Sequence, residues 1–220
     1  MSRADFFISP ANAAALAMVD MWRMWPGAMM LLAGPEGAGK SHLAQIWADE
    51  AGARIAPARA LAGLDLPGLA AAPALAIDDA DQIAGDGAAE TALFHLFNMA
   101  RAAGLPVLLT ARGPARDWGL TLPDLASRMQ SLALTRLEAP DDALLSAVLA
   151  KLFSDRQVVV PPTLIPWVVA RMERSIDAAR RLVAELDRRA LARGGPISRQ
   201  DAAELLAMPL DVALDRPDTE

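Results

Sequence analysis

Residues 31–47 read LLAGPEGAGKSHLAQIW, and their interpretation decides the fold. A short apolar run stops at Gly34, a loop with two more glycines follows, and beyond Lys40 and Ser41 the apolar residues fall at helical spacing. Gly34-Pro35-Glu36-Gly37-Ala38-Gly39-Lys40-Ser41 satisfies G-x-x-x-x-G-K-[ST], the P-loop pattern. Glycines at these places let successive backbone N–H groups turn inward and form an anion nest. The N-terminus of the following helix adds its partial positive charge. In such a loop Lys40 pairs with β- and γ-phosphates and the Ser41 hydroxyl ligates Mg²⁺. The alternative is a glycine-rich turn between a strand and a helix, with an exposed lysine. A strand before, a helix after and the only lysine of residues 1–138 inside the loop favour the phosphate cradle.

Composition bounds the rest. Hydrophobic residues make up 54% of the 220, too many for a disordered chain. Many of them are alanines, which favour helix. The absence of cysteine excludes disulfides and thiolate zinc sites, and two histidines make a poor basis for a metal centre. Neither a signal sequence nor an apolar run of membrane-spanning length is present, so the expected location is cytoplasmic, with no membrane partner. A net charge of −6 argues against nucleic-acid affinity spread over the surface, while leaving room for a local basic patch.

Strand and helix patterns alternate through the first part of the chain. Residues 12–22 carry a helical period with Asn12 as candidate N-cap. Residues 28–34, 72–81, 105–112 and 128–137 read as strands, and 41–52 and 90–104 as helices that stop at glycines. Such alternation implies an α/β fold with a parallel sheet between helices. After Pro140 only helical patterns follow, over 141–154, 162–173, 177–193 and 198–207. The expected organisation is a P-loop domain over 1–138, an all-helical domain over 139–208 and a loose acidic tail over 209–220.

A P-loop calls for an acidic strand end to hold its metal. The stretch LAIDDAD supplies one, with Asp78 for the Mg²⁺ shell and Asp79 as a water-orienting acid. The competing reading is an N-cap for the next helix. Thr110, at the end of the third strand, could place a hydroxyl near the γ-phosphate.

These motifs together resemble the DnaA-type AAA+ ATPases, and most closely the Hda subgroup of DnaA-related regulators of replication initiation. GKSHL (39–43) resembles the family's K-[ST]-H-L, and IDD followed by ETALFHLFN its I-D-D and F-F-H-x-F-N. GLTLPDLASRM (119–129) resembles its L-P-D-L-x-S-R segment, and FFISPANAAA (6–15) the entry segment beside the base. The resemblance runs from Asp5 to about Leu206. It implies an AAA+ domain with a helical lid, holding ADP or ATP with Mg²⁺. Gly34, Pro35, Gly37, Ala38, Gly39, Lys40, Ser41 and His42 would line the phosphates, Phe6 and Asn12 the base, and Arg180 would be the lid arginine that contacts the nucleotide. Arg128 would be the finger that reaches a neighbouring subunit's nucleotide. The bland readings are a surface arginine at a strand start for Arg128 and a solvated helix face for Arg180. Residues 171–199 hold eight arginines against four acids, a docking patch or merely a soluble face. His95 and Phe97 read as packing residues.

Three departures from the family pattern shape the functional expectation. Where the family has an acid after the third strand, this chain has Arg112, so its own hydrolysis should be slow. No helix-turn-helix for duplex DNA follows the lid, so DNA contact should be weak or indirect. MSRADFF holds no peptide of the type that docks on the DNA sliding clamp. The expected role is a nucleotide-bound regulator that pairs with the initiator DnaA, stimulates its ATP hydrolysis and so switches off initiation, with a homo-oligomer and the sliding clamp as further candidate partners. The alternatives are a DnaA-like ATPase or helicase-loading factor acting on DNA, and a P-loop kinase.

Overall fold

The computed structural model describes residues 6–207. The expected tail over 209–220 lies outside them. The chain divides into two compact units, one of Met1–Phe6 and Asn12–Glu138 and one of Phe7–Ala11 and Ala139–Glu220.

In the first unit the elements run α1 (Ala13–Asp20), β1 (Met29–Ala33), α2 (Lys40–Ala51), β2 (Ala53–Pro57), α3 (Leu66–Ala70), β3 (Ala74–Asp78), α4 (Gly87–Ala103), β4 (Val107–Ala111), α5 (Pro123–Gln130) and β5 (Ala133–Arg136). The strands form one parallel sheet in the order β2-β3-β4-β1-β5. All five residues of β1 are buried, as expected for a strand covered on both faces. Alternation then divides its side chains. Met29 and Leu31 enter a core with Leu69 of α3, Leu93 and Leu96 of α4, and Leu125 and Met129 of α5. Met30 and Leu32 enter the opposite core with Leu16 and Val19 of α1 and Leu43 and Trp47 of α2. On that side β3 offers only Ala74 and Ala76, which leaves room for the Trp47 indole. Trp47 stacks on Trp25 at 5.4 Å and meets Trp22 edge-on at 6.2 Å.

The second unit contains α6 (Asp142–Asp155), α7 (Leu164–Val169), α8 (Ile176–Arg193) and α9 (Arg199–Leu206) around Leu145, Leu149, Val168, Leu182, Leu186 and Leu205. Three of these four helices, α6, α8 and α9, start at side-chain caps. Asp141 accepts from the Leu144 N–H, Ser175 from Ala178, and Ser198 forms a reciprocal capping box with Asp201.

Three elements escape the sequence reading, β2, α3 and α5, and one is moved by the structure. β2 is an edge strand paired only with β3, and Arg54 and Ile55 are exposed, so no apolar run marks it. The strand read over 128–137 is confined to Ala133–Arg136, because residues 123–130 form α5. Pro123 at the first turn of α5 and the buried pair Leu125 and Met129, four residues apart, are its signals. Arg128 is therefore a helical residue and not the start of a strand. Asn12 precedes α1 in the N-cap position and is buried, but its side chain makes no capping bond.

Candidate functional site

The P-loop joins β1 to α2, and its shape follows from its glycines. Gly34 donates its N–H to the Ala111 carbonyl at 3.1 Å, and a Cβ there would stand 2.7 Å from the Leu137 carbonyl oxygen, so only glycine fits. Gly37 and Gly39 take φ values of 70° and 97°, in the region that other residues avoid. Gly39 delivers the chain into α2 with no side-chain cap and no acid in the first turn. Nothing on the helix itself offsets the positive end of its dipole. Ala38 is buried, while Pro35 lies exposed at the tip.

Lys40 is 6% exposed, and its Nζ donates at 2.9 Å to both the Gly34 and the Pro35 carbonyl oxygens of its own loop. Burial pushes its pKa below the ordinary lysine value, while Asp79, Asp81 and Asp78 oppose that shift. The ammonium is thus desolvated and held in place, with acids nearby.

Those acids are organised by Thr110. Its side chain is wholly buried, and its hydroxyl donates to Asp78 Oδ1 at 2.5 Å while accepting the Asp79 N–H at 2.9 Å. Thr110 therefore positions the two acids and has no exposed surface to offer a ligand. Ser41 Oγ donates to the same Asp78 oxygen at 3.1 Å, which brings the loop serine and the strand-end acid together across 37 residues. Asp79 has a left-handed backbone, φ 53° and ψ 50°, which Asp tolerates better than most residues. Its carboxylate accepts from Gln82 Nε2 at 2.9 Å. Burial first, and the Asp78 charge second, raise its pKa above the usual carboxylate range. Neither acid caps the following turn through its side chain, since Asp79 at the N-cap makes no such bond.

Sequence reasoning missed a third acid, and it marked Arg112 only as a departure from the family pattern. Asp81 accepts the Arg112 N–H at 3.3 Å through Oδ2, while its other oxygen is buried without a hydrogen-bond partner. The Arg112 guanidinium returns to the loop, with Nη2 3.0 Å from Glu36 Oε2. The third aspartate in DDAD was the available signal.

The remaining candidates fall in separate places. The Phe6 ring packs edge-on against His42 at 5.7 Å, which puts these two beside the first turn of α2. Arg180 belongs to the second unit, on α8, where it pairs with Asp177 at 3.2 Å. The basic run around it is largely neutralised within that unit: Arg174 pairs with Asp142, Arg188 and Arg189 with Glu185, and Arg193 with Asp201. Arg128 lies half-buried on α5, its guanidinium 5.0 Å from the Phe94 ring and 5.7 Å from the Phe97 ring of α4. Phe97 belongs to the core, whereas His95 is exposed and touches only the Phe94 ring among the aromatics, at 5.9 Å.

A glycine-shaped loop with a buried lysine, facing a strand-end acid bonded to the loop serine, suits a polyphosphate. No protein-family profile matches the chain. Solved structures do. Together with the five-stranded parallel sheet, they define the fold as that of the AAA+ ATPases. Within that class the chain is similar over nearly its whole length to domain III of the Thermotoga maritima replication initiation protein DnaA. The match has a TM-score of 0.78 at 20% identity, covering 93% of this chain and 94% of that one. Aquifex aeolicus DnaA, solved with AMPPCP, matches at 0.66 and 18% identity, over 86% of this chain and 66% of its own. RuvB of Thermotoga maritima matches at 0.67 and 20% identity, over 91% and 70%. At these identities the likeness is one of fold. Among the described residues no helix is long and apolar enough to cross a membrane.

Proposed function

We propose that this chain binds ADP or ATP in the P-loop and acts as a regulator on a DnaA-type partner, whose ATP hydrolysis it stimulates through Arg128. The observation that carries the nucleotide reading is the bonded set Ser41–Asp78–Thr110–Asp79 beside a buried, loop-anchored Lys40. Lys40 would leave its two carbonyl partners for phosphate oxygens, a charge-assisted exchange. Ser41 and Asp78 would supply two oxygen ligands to Mg²⁺, which completes its shell with water and phosphate oxygens. That ion would supply charge neutralisation along the phosphate chain. Asp79, with its raised pKa and its Gln82 contact, would orient a water.

The regulatory part rests on the sequence resemblance over 119–129 and on where Arg128 sits. α5 packs on the sheet face opposite to α2, the helix that begins at Lys40, so Arg128 would serve a nucleotide that belongs to another chain.

Lys40→Ala tests the nucleotide reading. Titration with a fluorescent ADP should show affinity lowered by at least a hundredfold, the loss of about 3 kcal/mol expected for one charged phosphate contact. An unchanged dissociation constant would refute the site.

A further inference from the structure

We propose that Arg171 and Arg199, both held over the Trp167 ring, form a docking point for an acidic segment of a partner protein. The proposal concerns the second unit alone and does not depend on the nucleotide reading. Residues 171–199 hold eight arginines. Arg174, Arg180, Arg188, Arg189 and Arg193 face acids of their own unit. Arg181 is partly buried on α8, its Nε without a hydrogen-bond partner among the described residues. Arg171 and Arg199 remain. Both are exposed, neither has an acid partner among the described residues, and they meet at one indole.

Arg171 lies just past the end of α7. Its guanidinium stands 4.6 Å from the Trp167 ring centroid and donates to the Trp167 carbonyl at 3.1 Å, which fixes it at two points. Arg199 opens α9 and stands 4.7 Å from the same centroid. A cation is unfavourable there, because the first turn of a helix carries the positive end of its dipole. Asp201, the acid of that turn, gives no relief, since it is committed to Ser198 and to Arg193. Glu204 is taken by Gln200 and Arg189, and the exposed Glu173 pairs with neither cation. Two like charges and a helix N-terminus thus gather around one ring without a counter-charge. A conflict of that kind between local rules marks a functional place. Cation–π contacts hold the guanidiniums while leaving their charge intact, so both forks are pre-set for pairs of oxygens.

The anion that fits is a cluster of carboxylates on a protein. A firm grip on nucleic acid takes about 6–10 phosphate contacts, and two cations on a chain of net charge −6 fall short of that. Stacking cannot make up the difference, because the Trp167 ring is engaged by cations and packed against the core of its unit. A carboxylate needs only one fork. The exposed Pro166 and Ala170, chain neighbours of Trp167 and Arg171, add apolar surface of the kind a protein interface uses.

The test is the anisotropy of a fluorescein-labelled oligoglutamate of about 10 residues, titrated with the full chain at low salt, where exposed charges are least screened. Arg171→Gln and Arg199→Gln should each weaken binding about threefold, and the double variant at least about tenfold. Trp167→Leu should cost as much as one arginine, whereas Trp167→Phe, which keeps an aromatic face, should stay within about twofold. Arg188→Gln removes the same charge from a guanidinium bound to Glu185, and should change binding by less than about twofold. Both docking arginines are exposed, so melting temperatures of their variants should hold within about 1–2 °C. No binding by the wild type, or a double variant that binds as the wild type does, would overturn the proposal. An equal loss in Arg188→Gln would reduce the effect to net charge and overturn it too. An oligothymidylate of equal charge that binds more tightly than the oligoglutamate, and is lost in the same variants, would assign the site to nucleic acid and overturn the choice of partner.

Discussion

Thr110 shows how much of the site depends on a residue that offers nothing to a ligand. It is wholly buried, and its one hydroxyl donates to Asp78 and accepts from the Asp79 backbone, so two adjacent acids are fixed by a single atom. The acids need that support. Asp79 has a left-handed backbone and a carboxyl that burial and Asp78 hold protonated to higher pH than usual. Thr110→Val keeps the shape and removes the bonds, leaving a half-buried carboxylate oxygen and an N–H each short of a partner. The expected cost is about 1–3 kcal/mol, read as a fall in melting temperature of several degrees. Mg²⁺-dependent nucleotide binding should weaken along with it, whereas Thr110→Ser should retain both. A Val variant with unchanged melting and binding would show that the hydroxyl is dispensable.

At the scale of elements, α4 sets the position of α5. Glu90 is wholly buried on α4, and its carboxylate accepts the N–H groups of Gly85, Thr121 and Leu122 and the Thr121 hydroxyl. One and two turns further on, Phe94 and Phe97 carry the Arg128 guanidinium. A single helix therefore fixes both the start of α5 and the arginine near its end. Burial would raise the Glu90 pKa, but the bonds from Thr121, Leu122 and Gly85 prevail and hold it below its ordinary 4.5. With the folded pKa the lower of the two, the unfolded chain takes up the proton first as pH falls below 4.5. Stability is thus present above that pH and is lost as pH drops toward the folded value. Glu90→Gln should reduce stability at pH 7 and flatten the loss seen in melts as pH falls below 4.5. Asp141, Glu185 and Asp201, whose pKa values are also lowered, keep part of the slope. An unaltered slope in the variant would remove Glu90 from that role.

None of this bracing was legible in the sequence, where Glu90 is one acid at the start of an amphipathic helix. The P-loop and the strand-end aspartates were legible because their chemistry is local in sequence and has fixed spacing. β2 and the partnership of Glu36 with Arg112 were not, because an exposed edge strand has no apolar period and an ion pair across 76 positions has no spacing rule.

At the scale of the whole molecule, acids outnumber bases, with 27 Asp and Glu against 21 Lys and Arg. The arginine-rich helix α8 is paired with acids of its own unit, and the net charge is −6. A broad electrostatic grip on nucleic acid has little to draw on. Arg128, like Arg23, Arg171 and Arg199, rests on aromatic rings, and a cation–π contact leaves its charge available to a phosphate. On the proposed reading the functional weight would fall on an interface with another nucleotide-holding chain, where an arginine finger is worth about 10³–10⁵ in rate. The most direct measurement is a mixed assay in which a DnaA-type initiator carries labelled ATP and receives either wild-type protein or Arg128→Ala. The variant should fold, bind its own nucleotide as the wild type does, and lose at least about 90% of the stimulation. Full stimulation by the variant, or collapse of its own nucleotide affinity, would contradict the account.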